Sequence, residues 1–149
     1  MKKALIFIYV AFFGLVSCSE NNDPITVDPT QPTGTLSVMR SGSFIDQNAS
    51  GSKGVAELGT DTQGKEFLKF SPDFNTALAT GTVTVFLSTS NEFRPDPGNG
   101  NPNLLVLGPV REAGENFFAI PTGKSTSKYT HVILWCGSVA IPFGNAPLQ

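Results

Sequence analysis

Residues that build catalytic and metal centres are scarce in this chain of 149, which has one histidine, one tryptophan and two cysteines. No HExxH pair, zinc cysteine pair, phosphate loop, dinucleotide-binding glycine fingerprint or nucleophile elbow is present. Charged residues make up only 15% and the acids stand singly, which leaves no glycosidase carboxylate pair and no calcium loop. No segment of useful length repeats with helical period, so nothing points to a coiled coil. The apolar run Ala4 to Val16 spans 13 residues, too few to cross a bilayer as a helix. These absences leave no catalytic motif beyond one candidate cysteine, and no cofactor or metal is implied.

What is present at the N-terminus is an export pattern. Met1-Lys2-Lys3 is a positively charged start, the apolar run follows, and Leu15-Val16-Ser17-Cys18 resembles the lipobox at which bacterial lipoproteins are acylated on cysteine. Residues 1–17 are therefore expected to be a lipoprotein signal peptide, with Cys18 the lipidation site. Acyl chains on one residue bury enough methylenes, at about 0.8 kcal/mol each, to hold the protein on a membrane that it does not span. The expected location is the bacterial cell envelope, anchored by lipid in the outer membrane. Cleavage would remove Lys2 and Lys3 and no acid, leaving 8 basic and 12 acidic residues and a formal charge of −4. Nucleic acid is then not an expected partner.

Residues 18–35 are polar, carry Pro24, Pro29 and Pro32, and read as a flexible tether. From 36 to 149 the chain is one all-β domain of about eight strands, an antiparallel sandwich or barrel. With 15 glycines and 11 prolines it is rich in turns. Strands are expected at Leu36 to Ile45, Val55 to Leu58, Glu66 to Phe70, Thr82 to Ser88, Leu104 to Leu107, Asn116 to Ile120, His131 to Cys136 and Val139 to Phe143. The clearest alternation is in Thr82 to Ser88, which puts Val83, Val85 and Leu87 on one face. Arg94 to Asn103, with three prolines and two glycines, is expected to be a mobile, solvated loop.

Lipidation of Cys18 would leave Cys136 unpaired in an exported protein, so it is a reactive thiol, an intermolecular disulfide or an inert core residue. Strand parity places Cys136 with Leu134, Val132 and Thr130, and sets Trp135, Ile133, His131 and Tyr129 on the other face. Both faces are largely apolar, which suits a central strand. The five-residue separation puts His131 opposite Cys136, so no Cys-His dyad or metal site can form within the strand. Lys124 and Lys128 lie upstream, where they could fold back toward the sulfur. Without a cation nearby, the residues alone favour a core cysteine.

The run from Tyr129 through Trp135 and Cys136, followed by Val139-Ala-Ile-Pro-Phe-Gly144-Asn-Ala-Pro-Leu148, resembles the C-terminal signature of the electron-transfer DM-thirteen domain. Ser41 to Phe44, Gly51 to Leu58, Leu105 to Pro109 and Asn116 to Pro121 agree with it, so the resemblance covers about residues 37 to 148. It implies an all-β fold, a part in extracytoplasmic electron transfer with a redox partner protein, and Cys136 as the candidate redox thiol. Tyr129, Trp135 and Gly144 are the supporting motif residues. Gly137 departs from the bulky or basic residue that members often carry after the cysteine. The alternative is a non-catalytic envelope module for binding or display, with Cys136 as packing.

Overall fold

Alternation along the strands decides which side chains meet. In the computed structural model, which describes residues 28–149, nine antiparallel strands form two sheets. They are β1 (Ser37–Ser43), β2 (Ile45–Asp46), β3 (Val55–Thr60), β4 (Glu66–Phe70), β5 (Val83–Ser88), β6 (Leu104–Pro109), β7 (Asn116–Ala119), β8 (His131–Cys136) and β9 (Ile141–Pro147). One sheet has the order β1-β3-β4-β7 and the other β2-β9-β8-β5-β6. Their apolar faces pack together as a β-sandwich, with Ala56, Leu58, Leu68 and Phe70 meeting Val83, Val85, Leu87, Val132 and Leu134.

The strand expected over Leu36 to Ile45 is split at Phe44. The Phe44 N–H leaves the ladder to donate to the Gly54 carbonyl at 2.9 Å, and its ring turns into the core. The chain thereby passes from the first sheet to the second. Phe44, Phe74 and Phe118 surround Phe70 at centroid distances of 4.9, 4.5 and 5.0 Å, so one ring ties the crossing between the sheets to β4 and β7. Beyond Pro147 the chain returns to β1, where Ser41 and Gln149 exchange two backbone hydrogen bonds of 3.0 Å. This pair closes the corner between the sheets.

The last strand begins two residues later than expected and runs on to Pro147, because residues 137–140 turn, with Ala140 at φ 55°. The proline-rich loop also has more order than its composition suggests. Residues 97–99 form a single 3₁₀ turn, and the Asp96 N–H donates to Asn101 Oδ1 at 2.6 Å while the Asn101 N–H returns to the Asp96 carbonyl at 2.9 Å.

The signal residues and Cys18 lie outside the described residues. The part of the expected tether that is described docks on the β3–β4 turn. Asp61 accepts from the N–H groups of Thr33, Gln63 and Lys65 at 3.0, 2.9 and 2.9 Å, and the Thr62 N–H donates to the Thr33 carbonyl. The Thr33 N–H, followed by the other backbone donors, holds the Asp61 carboxyl below its ordinary 3.8. A depressed carboxylate stabilises the fold above its unfolded value, and that contribution is lost as pH falls through the folded value. Asp61→Asn is therefore expected to lower stability at neutral pH and to flatten its fall as pH drops below the ordinary 3.8 of the carboxyl, read from urea midpoints at each pH.

Candidate functional site

Cys136 is the last residue of β8, the middle strand of its sheet. It stands opposite Val83 of β5 and Ile141 of β9, on the inner face with Val132 and Leu134. Its side chain is fully buried, and it is the free cysteine among the described residues. Thr80 Oγ1 lies 3.9 Å from Sγ, at the long limit for a weak sulfur hydrogen bond. Its strand partners and this contact are uncharged.

The cover is thin. A Cβ built on Gly81 would lie 3.9 Å from Sγ and 2.1 Å from Ser138 Oγ, so glycine is needed for the 80–82 segment to cross the turn after β8. Gly81 has φ 141°, and the Gly137 N–H donates to the Thr82 carbonyl over a long 3.3 Å. Thr82 and residues 137–140 are exposed. The sulfur therefore lies one layer below solvent, at the end of the sandwich rather than at its centre.

The other expected residues are not gathered around this sulfur. His131 pairs with Ser88 on the outer face, and its Nδ1 lies 2.8 Å from Thr130 Oγ1. Partial burial lowers the His131 pKa from 6.5. It starts β8 and Cys136 ends it, about 17 Å apart at the rise of a strand. Lys124 and Lys128 precede His131 and line a groove at that far end, so they do not fold back toward the thiol. Tyr129 lies before β8 begins and is buried in the core with Cys136, not on the opposite face that strand parity gave it, and the Lys128 ammonium is 5.1 Å from its ring centroid. Its carbonyl, and that of Thr126, accept from the Arg40 guanidinium at 2.6 and 2.9 Å, which ties the turn before β8 to β1.

Trp135 points to the outer face, where it stacks on Phe93 at 4.1 Å and 14°. Phe93 in turn meets Phe86 edge-on at 5.1 Å. Gly144 opposes Leu134, and a Cβ there would lie 2.9 Å from Ser52 Cβ and 3.0 Å from the Ile45 carbonyl oxygen. That glycine admits a buried hydroxyl chain: Ser52 Oγ lies 2.8 Å from both Ser50 Oγ and Thr76 Oγ1, and Ser50 Oγ donates to Asp46 at 2.8 Å. The Ser50 hydroxyl, then the Ser52 N–H, hold Asp46 below 3.8. Residue spacing gave no sign of this chain, since Thr76 joins it only through the backbone pairing of Lys53 with Asn75.

Residues 43–148 match the family described as Electron transfer DM13. The chain belongs to that family. It thus carries an electron-transfer DM13 domain over nearly all of its sandwich, from the end of β1 to the residue after β9. No curated protein and no solved structure matches it. Among the described residues no cluster of three or more His, Cys, Asp or Glu side chains is placed to hold a metal ion, and no helix is long and apolar enough to cross a membrane.

Proposed function

We propose that this DM13 protein is a lipid-anchored electron-transfer module of the cell envelope, in which Cys136 is a gated redox thiol. The observation that supports this reading is that Cys136 ends β8 under a cover one layer thick made by Thr80, Gly81 and Ser138. Closed, the site keeps the sulfur from solvent oxidants. Opened by lifting of residues 80–82, it lets the Cys136 thiolate attack a disulfide of a partner protein, forming a mixed disulfide as the partner's S–S bond breaks and its other sulfur leaves as thiolate, which takes a proton from water. Attachment through Cys18 would hold the domain at a membrane surface where such partners lie. Replacing Cys18 by Ala is expected to abolish incorporation of labelled fatty acid and to leave the sandwich folded.

A second reading rests on the same burial. Val83, Leu134 and Ile141 surround a position that a small apolar residue can occupy, and a core cysteine of this kind is inert. The module would then bind or display, with no thiol chemistry. Incubation of the native protein with glutathione disulfide, followed by mass spectrometry, separates the two. The gated thiol is expected to acquire one glutathione adduct at Cys136, about tenfold faster in a Thr80→Gly variant with a loosened cover. No adduct before denaturation, in either protein, selects core packing.

A further inference from the structure

A second feature lies at the other end of β8. The segments 100–106 and 123–129 enclose a groove of about 610 Å³, within the range of small-molecule sites. Its apolar surface includes Phe86 and Val106, which are register partners on the outer face of the sheet. Val106 is 56% exposed, more than any other large apolar side chain described, so the floor is open to a ligand. The groove is lined by two cations, Lys124 and Lys128, and by no acid, in a chain whose acids outnumber its bases.

The lysines are available to an anion. The salt bridges among the described residues belong to Lys69 and Arg94, not to Lys124 or Lys128. Lys128 is also held in place, since its ammonium donates to the Pro102 carbonyl at 2.6 Å and so spans the two walls. That bond uses one of three N–H donors and leaves two for a ligand. Ser125 and Ser127 add hydroxyls 2.9 Å apart on the same wall.

We propose that this groove binds a planar aromatic anion, with the ring on Phe86 and Val106 and a phosphate, carboxylate or sulfonate between Lys124 and Lys128. A bare anion lacks the apolar contact, and a neutral ring lacks the charge pairing that makes the site selective. The binding stands on the groove alone and holds whether or not Cys136 is redox-active. Phe86 is also the first ring of the run through Phe93 to Trp135, the chain neighbour of Cys136, so an aromatic ligand would extend that run.

The test is methyl NMR of the full chain in phosphatidylcholine nanodiscs, titrated with 1-naphthyl phosphate. Saturable shifts of the Val106 and Leu105 methyls are expected at millimolar or tighter affinity, weakened about tenfold or more by the pair Lys124→Ala and Lys128→Ala. Val106→Glu, which places a like charge on an exposed floor position without touching the core, should weaken binding comparably. The pair of lysine substitutions should leave binding of uncharged 1-methoxynaphthalene unchanged. The proposal is overturned if no saturable shift occurs, if inorganic phosphate alone gives the same shifts and affinity, or if the lysine substitutions leave 1-naphthyl phosphate binding intact.

Discussion

Phe70→Ala is expected to lower the unfolding free energy by about 4 kcal/mol, the cost of emptying a fully enclosed aromatic site. Phe70 has no exposed surface and touches rings from three other parts of the chain: Phe44 at the crossing between sheets, Phe74 after β4, and Phe118 on β7. Those neighbours are themselves fixed on strands or turns, so collapse into the space is limited. In a domain of this size the loss should lower the melting temperature by roughly 15 °C. Phe70→Leu keeps much of the volume and should cost about 1–2 kcal/mol. Urea unfolding of the three proteins checks this, and equal losses for Ala and Leu would mean that filled volume is not what Phe70 contributes.

Gly42→Ala is expected to destabilise almost as much, about 3 kcal/mol, although it adds a single methyl. A Cβ there would lie 1.9 Å from the Pro147 carbonyl oxygen and 2.7 Å from its carbon, which are backbone atoms with no rotamer to change. β1 must then move away from the end of β9, and the two Ser41–Gln149 hydrogen bonds go with it. Gly64→Ala makes a contrast, since no atom lies within 4 Å of the added carbon and its cost comes only from φ 78°. Thermal unfolding of both variants should rank Gly42→Ala well below Gly64→Ala. Hydrogen exchange in the Gly42 variant should rise first at Ser41 and Gln149.

Much of the sandwich is legible in local pattern, because alternation reports burial strand by strand. The Thr82 to Ser88 pattern names the inner face of β5 correctly, and parity in β8 puts Cys136 inside and His131 outside. The break at Phe44 is not legible, since no glycine or proline stands between Ser43 and Ile45 to mark it, and the Gly54 carbonyl that accepts the Phe44 N–H is distant in sequence. The cover of Cys136 is hidden for a related reason: Thr80 and Gly81 lie more than 50 residues before it. Lys124 and Lys128 are near Cys136 in sequence, yet a strand between them carries the thiol to the opposite end. The glycine of the Phe-Gly signature marks close packing, and what it packs against, the Ser50–Ser52 hydroxyl chain, comes from a distant turn.

A redox role for Cys136 requires that its cover open locally, and alkylation of the native protein by iodoacetamide across sub-denaturing urea measures that directly. Local opening of residues 80–82 exposes little surface, so labelling should outpace global unfolding and change only weakly with urea up to the unfolding transition. Thr80→Gly should speed it at unchanged global stability. If labelling instead follows global unfolding, with the full urea dependence and no effect of Thr80→Gly, Cys136 is core packing and the gated thiol is contradicted.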